Sequence, residues 1–259
     1  VRGDMKIASW NVNSVKARLP RLVDYLKDYA PDVLCLQELK VIDDNFPRLE
    51  VEELGYNVET HGQKTYNGVA ILSKHPIEDV MRGLPGDDAD EQARYIEATV
   101  GNVRIASIYL PNGNPTDTEK FPYKLGWMDR LITRGKHLLT LEEPTVLAGD
   151  YNVIPQDEDC YDPKAWEGDA LTRIESRNRF RQLLNFGYTD AYRAFTPDVN
   201  YTYWDYQRGA WQKDHGIRID HLLLSPQATD RMTEVGIDKG PRGQEKPSDH
   251  TPIWVDLAD

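Results

Sequence analysis

Val146-Leu147-Ala148-Gly149-Asp150-Tyr151-Asn152 decides the reading of this chain: an apolar run of strand length ends in glycine and delivers a carboxylate and an amide almost side by side. In a strand, residues i and i+2 share a face, so Asp150 and Asn152 can converge on one bound atom while Gly149 lets a neighbouring backbone come close. The same grammar recurs three times. Ile7-Ala8-Ser9-Trp10 runs into Asn11 and Asn13, Val33-Leu34-Cys35-Leu36-Gln37 runs into Glu38, and Ile105 to Leu110 carries Tyr109 and leads to Asn112. Near the C-terminus the order reverses, with Asp220 ahead of His221-Leu222-Leu223-Leu224 and Asp249-His250 ahead of Pro252-Ile253-Trp254-Val255. If these last two strands run antiparallel to the first four, all six polar ends meet at one edge of the sheets.

At 259 residues and 39% hydrophobic, the chain can bury a substantial core. We expect one domain over residues 5–259, with Val1-Arg2-Gly3-Asp4 ahead of Met5 read as an extension outside the fold. No stretch approaches the ~18 apolar residues of a membrane span, and no charged-then-apolar leader opens the chain. Two cysteines, Cys35 and Cys160, are too few for a disulfide framework and fit a reducing cytoplasm. A net charge of -12 counts against a sequence-blind nucleic-acid coat, whose affinity would come from a broad excess of Lys and Arg. A phosphate-bearing substrate would need local help, and a divalent cation among the acids at the strand tips would reverse the local sign.

Strand-length apolar runs lie near 6–10, 32–37, 56–60, 68–73, 94–100, 103–110, 145–150, 219–225, 231–237 and 252–257. Helical spacing predicts helices from about Lys16 to Tyr29, from about Thr118 to Leu139 and from Ser176 to Phe186, the last ended by Gly187. Strands and helices in both halves, with no linker or repeat between them, predict an α/β fold of two sheets packed face to face with helices outside. The stretch from Pro155 to Arg173 lacks periodicity and reads as a surface loop of a length that often carries function.

Each tip has a plain reading of its own. Glu38 alone would be a strand end meeting water, Ser248-Asp249-His250 a capped turn, Tyr109 a core-edge aromatic and Asp220 the surface partner of Arg218. Joint occurrence changes the balance, because together the tips supply hard oxygen donors suited to Mg²⁺ or Mn²⁺. Zinc-type Cys/His spacing, a nucleophile elbow and a Gly-rich phosphate cradle are all absent.

In order along the chain, Ser9-Trp10-Asn11, Leu36-Gln37-Glu38, Tyr109-Leu110-Pro111-Asn112, Gly149-Asp150-Tyr151-Asn152, Arg218-Ile219-Asp220 and Ser248-Asp249-His250 resemble the exonuclease III family of apurinic/apyrimidinic endonucleases, in the endonuclease/exonuclease/phosphatase superfamily. Phe121-Pro122-Tyr123-Lys124 and Trp127-Met128 extend the match. The resemblance implies a four-layered α/β-sandwich of two mixed sheets and a Mg²⁺-dependent (or Mn²⁺-dependent) phosphodiesterase. It further implies double-stranded DNA with abasic sites or blocked 3′ ends as substrate, 3′→5′ exonuclease activity, and a monomeric bacterial-type protein, cytoplasmic and nucleoid-associated through DNA.

Carried over residue by residue, the resemblance makes Glu38 the main metal carboxylate. Asn11, Asn13 and Asp249 join it, and Asp150, Asn152 and His250 are at or near the coordination shell. It makes Asp150 the group that activates water, with Asn152, Tyr109 and the His250–Asp220 pair acting on the phosphate or the leaving oxygen. Substrate contacts fall to Asn112, Lys124, Tyr203, Ile217, Arg218, Ile219 and Trp204, the last as the wall of a pocket for a flipped-out abasic sugar. Competing readings are another metal-dependent phosphoesterase of the superfamily, either a non-specific nuclease or an inositol-phosphate or lipid phosphodiesterase, and a silent interaction module. Tyr109 speaks against a DNase I-like enzyme, which would place a His in that strand. The full constellation speaks against a silent module.

Overall fold

The computed structural model describes residues 4–259, so residues 1–3 of the N-terminal extension lie outside it. Among the described residues, twelve strands alternate with helices and form two six-stranded sheets. In chain order these are β1 (Met5–Asn11), β2 (Val33–Gln37), β3 (Asn57–His61), β4 (Val69–Ser73), β5 (Ile77–Arg82), β6 (Tyr95–Val100), β7 (Val103–Tyr109), β8 (Thr145–Asp150), β9 (Thr189–Asp190), β10 (Asp220–Leu224), β11 (Met232–Ile237) and β12 (Ile253–Leu257). One sheet runs β11-β12-β1-β2-β4-β3 and the other β5-β6-β7-β8-β10-β9. Both are mixed: β1 and β2 are parallel, as are β7 and β8, while β12 lies antiparallel to β1 and β10 antiparallel to β8.

The central strands β2, β4, β8 and β10 are buried along their whole length, so both of their faces must be covered. Alternate side chains divide between two apolar layers. Ile7, Val33, Cys35 and Ile71 of one sheet meet Ile96, Ile105, Val146 and Leu222 of the other in the central layer. Their neighbours Ala8, Trp10, Leu34 and Leu72 pack outward against α1 (Leu19–Asp28), close to the short α2 (Arg48–Glu52). On the opposite side, Ala106, Ile108, Leu147 and Leu223 pack under α3 (Lys120–Thr140) and α4 (Ile174–Phe186). The order helix, sheet, sheet, helix is the four-layered α/β-sandwich expected from the sequence.

The three expected helices depart from expectation only at their ends, while four short ones, at Arg48–Glu52, Ala191–Phe195, Ala210–Lys213 and Pro226–Thr229, were not expected. The first begins at Leu19 rather than Lys16, with Pro20 in its first turn, where the missing N–H costs nothing. The third stops as expected at Gly187, whose φ of +134° favours glycine and whose N–H caps the carbonyls of Leu183 and Leu184. Two strands are not visible as apolar runs. β5 is an edge strand with a register shift between Glu78 and Met81, and β9 spans two residues. The stretch 155–173 is a loop, as read, stiffened by two 3₁₀ turns at Asp157–Asp159 and Pro163–Trp166.

Candidate active site

Sheet register brings the tips together. Asp150 pairs with Tyr109 on one side and Asp220 on the other, so the carboxyl ends of β7 and β8 and the start of β10 lie at one edge. Gly149 makes this possible, because a Cβ there would overlap the Ile108 carbonyl oxygen of β7. The turn before β12 is fixed to β1: Ser248 Oγ donates to the Asn11 carbonyl at 2.6 Å and accepts the His250 N–H at 3.2 Å, and Trp10 Nε1 donates to the His250 carbonyl. Glu38 and Asn152 sit at left-handed φ of +53° and +46°, a conformation that L-residues keep only when the surroundings impose it.

Two hydrogen-bonded groups share one amide. Tyr109 Oη donates to Glu38 Oε1 at 2.8 Å, and Asn11 Nδ2 donates to the same oxygen at 3.0 Å. That Nδ2 also donates to Asp150 Oδ2 at 2.9 Å. Asp150 Oδ1 accepts the Asn152 backbone N–H at 3.0 Å. On its far side, His250 places Nε2 3.6 Å from Asp150 Oδ2 and Nδ1 2.8 Å from Asp220 Oδ2. Asp249 borders the same hollow.

Four carboxylates thus face one imidazole, with Lys40 at the rim 3.5 Å from Glu38 Oε2. Burial pushes Asp150 up to about 7; His250 opposes the shift and Asp220 adds to it. Burial likewise raises Asp249, against His250 and with Glu38. For His250, burial disfavours the charged ring, but Asp220 and then Asp150 outweigh it and hold the imidazolium well above the usual histidine range. Tyr109 is raised by burial and by Glu38 and Asp150, so its phenol keeps its proton. This surplus of negative charge on oxygen donors fits a hard divalent cation, which needs only one or two carboxylates when substrate oxygens and water complete the shell.

The geometry corrects the ligand set. Among the described residues, Asp150, Asp220 and His250 are the one His, Cys, Asp or Glu trio whose ligating atoms lie within 4.8 Å of one another. An imidazolium has no lone pair to give a cation, and the trio is held by a single hydrogen bond, His250 Nδ1 to Asp220 Oδ2, with Nε2 in longer ionic contact with Asp150. Asn13 is also misplaced: its Oδ1 accepts from Lys40 Nζ at 2.7 Å and its Nδ2 points at Tyr206 Oη. Asn11 spends Nδ2 on the two acids and Oδ1 on the Asn13 N–H, so both ends of its amide are hydrogen-bonded within the protein. Asn152 turns Nδ2 to the Leu110 carbonyl and keeps its second N–H. Oxygens of Glu38, Asp249 and Asp150 remain as donors.

Beside the acids opens a slot of about 190 Å³. Asn112, Tyr203, Ile217 and Ile219 line it, as expected, and so do Trp166 and Leu171, which the sequence reading missed. Both come from the long loop, where an isolated Trp amid polar residues was the only signal. Three expected contacts fail. Trp204 is fully buried, its Nε1 donating to Asp214 Oδ1. Arg218 is 1% exposed and paired with Asp159 and with both oxygens of Asp190, not with Asp220 or with solvent. Lys124 is enclosed and donates to backbone carbonyls. A larger hollow of about 560 Å³, lined by Glu158, Arg193 and Phe195, has no such convergence of titratable groups.

A base near neutrality, an imidazolium, a protonated phenol and a cation-seeking carboxylate at the mouth of a small slot can hydrolyse a phosphoester. Residues 8–250 match the endonuclease/exonuclease/phosphatase family. The chain is 36% identical to exodeoxyribonuclease III of Haemophilus influenzae, over 98% of this chain and 100% of that protein. Among solved structures, it is similar to the 3′ phosphatase NExo from Neisseria bound to product DNA hairpin (TM-score 0.96, 41% identity, 98% and 100% of the two chains). It is also similar to an AP endonuclease from Archaeoglobus fulgidus (TM-score 0.94, 35% identity, 98% and 99%).

Proposed function

The chain belongs to the endonuclease/exonuclease/phosphatase family, and from that premise we propose that it is a metal-dependent DNA repair nuclease that cleaves 5′ to abasic sites and clears blocked 3′ ends. The observation that carries this reading is Asp150, buried and held near pKa 7 between the His250–Asp220 pair and the Glu38–Tyr109 pair, at the mouth of the slot. A small slot walled by Trp166, Leu171, Tyr203, Ile217 and Ile219 favours a sugar without its base over an intact nucleotide.

Glu38, Asp249 and an Asp150 oxygen would hold Mg²⁺ or Mn²⁺, which when bound neutralises a non-bridging phosphate oxygen. Asp150 takes the proton of the attacking water. The free N–H of Asn152 and the Nε2–H of His250 donate to the non-bridging oxygens as charge builds there. Asp220 keeps His250 protonated and oriented. Tyr109 offers its proton to the departing 3′ oxygen or to the phosphate. Tyr203, Trp166, Ile217 and Ile219 keep water from the abasic sugar.

We take the chain to act as a single domain and a monomer. No described helix is long and apolar enough to cross a membrane. A chromosomal DNA substrate would favour a cytoplasmic location. The test is a 5′-labelled duplex with one abasic-site analogue, with and without Mg²⁺, beside an undamaged duplex with a recessed 3′ end. Incision 5′ to the lesion only with the cation supports the reading. Full activity in excess chelator, or no preference for the lesion duplex, would overturn it.

A further inference from the structure

Lys124, in the first turns of α3, is fully enclosed. Its Nζ donates to the carbonyl oxygens of Asn152 at 2.6 Å, Asn112 at 3.0 Å and Ala170 at 3.4 Å. These oxygens belong to three segments: the turn after β8, the loop after β7 and the long loop that carries Trp166 and Leu171. An ammonium has three N–H donors and no lone pair, so three carbonyls match it, whereas a neutral amine would turn a lone pair on one of them. Among the described residues Lys124 forms no ion pair with a carboxylate, and burial lowers its pKa to about 7, opposed by the more distant Asp169 and Asp150. The chain is also shaped around its stem: Gly113 has φ +87°, and a Cβ there would lie 2.6 Å from Lys124 Cδ.

A buried cation without a carboxylate partner is a poor way to stabilise a fold, and an apolar side chain of similar shape would fill the space at lower desolvation cost. What the ammonium does secure is the turn at the site. The Asn152 N–H fixes Asp150 Oδ1, the Asn152 side chain is held to the Leu110 carbonyl, and Asn112 Nδ2 reaches Asn152 Oδ1 at 3.4 Å. Ala170 directly precedes Leu171 of the slot wall.

We infer that Lys124 is a positioning residue, whose ammonium draws the Asn112, Asn152 and Ala170 segments onto one point and thereby sets Asp150, Asn152 and the slot wall in register for phosphodiester cleavage. The inference rests on the nuclease reading above. It replaces the role of phosphate contact with one exerted through the backbone, and such registration is sensitive to displacements of an ångström.

The experiment measures kcat and KM on the abasic duplex, with thermal unfolding, for the full chain as wild type, Lys124→Met and Gly113→Ala. Lys124→Met should melt at or above the wild-type temperature and keep KM within about threefold, while kcat falls ~10²-fold. A kcat within about threefold of wild type in folded Lys124→Met overturns the inference. So does a joint fall of kcat, affinity and melting temperature, which is what a merely structural residue gives. Should Lys124→Met not fold, Gly113→Ala carries the test: it displaces the stem but keeps the charge, and should lose ~10-fold in kcat at preserved KM, an unchanged kcat refuting the role. A wild type inert on the abasic duplex but folded would instead sink the nuclease reading, and that result precedes any variant.

Discussion

Two buried ionic clusters meet at the start of β10, and they are built on opposite principles. In one, Arg218 donates to Asp159 at 2.9 Å and to Asp190 at 2.9 and 3.0 Å, and Arg193 adds a second bond to Asp159 at 2.6 Å. Two cations face two carboxylates. Burial alone would raise Asp190, but Arg218 holds it below the usual range. His221 completes the set as a neutral ring, kept so by burial and by Arg218, with Nδ1 accepting from Arg218 and Nε2 donating to the Val153 carbonyl. In the other, two residues along from Arg218, Asp220 belongs to a group of four carboxylates around one imidazole, and its Oδ1 is buried with no partner. There burial pushes Asp150 and Asp249 up, and Asp220 and Asp150 keep His250 charged. Matched charge anchors loops to the sheet. Unmatched charge is tolerated only where a cation, a proton transfer or a phosphate makes use of it.

The sharpest separation between the clusters should come from Asp150→Asn. It removes the base and one surplus charge but little shape, so kcat should fall ~10²-fold or more while abasic DNA is still bound. Near-normal turnover, measured at saturating substrate, would move the base elsewhere, with His250 next in line.

Asp190→Asn makes the mirror test in the balanced cluster, since it leaves Arg218 and Arg193 with one carboxylate, Asp159. Unfolding stability should drop by about 3 kcal/mol in urea titrations, with turnover per folded molecule near wild type. Because Asp190 is held low in the fold, its contribution is present above the unfolded carboxylate value and is lost as pH falls through the folded one. A variant as stable as wild type, or one folded but inactive, would erase the distinction between the clusters.

The smallest expected effect concerns Asp220 and His250. His250 is raised above its unfolded value, so its favourable charge interaction is fully present below about 6.5 and lost as pH climbs through the elevated folded value. Asp220→Asn should move the alkaline limb of kcat/KM to lower pH by about one unit. An unmoved limb, with His250→Asn still strongly impaired, would show that His250 works without this carboxylate.

How much of this was legible follows from the same contrast. The strand tips could be read because an apolar run ending in a polar residue fixes both the strand and the exposed end, and Gly149 marked a close approach later seen against Ile108. The sequence could not show which cations are buried. Lys124 and Arg218 read as phosphate contacts because a charged side chain is usually at the surface; only the fold reveals carbonyls around one and aspartates around the other. The choice between Tyr203 and Trp204 failed for a related reason. They lie in irregular chain without periodicity, so nothing local indicated that Tyr203 faces the slot while Trp204 turns to Asp214. Asn11 and Asn13 are metal ligands only by resemblance, and the direction of an amide is set by partners distant in sequence, Asp150 and Tyr206 among them.

Unfolding by urea as a function of pH, in chelator and in saturating Mg²⁺, bears most directly on the surplus-charge account. The proteins to compare are wild type and Asp150→Asn. An acid raised from 3.8 to about 7 in the fold holds a proton there that the unfolded chain has already lost, so stability falls as pH climbs across that interval. Without the cation, wild type should therefore lose stability relative to Asp150→Asn between about pH 4 and pH 7, and Mg²⁺ should restore it. Parallel pH dependence in the two proteins, or a wild type whose stability does not respond to Mg²⁺, would contradict the claim that these carboxylates are held together for a cation and a proton.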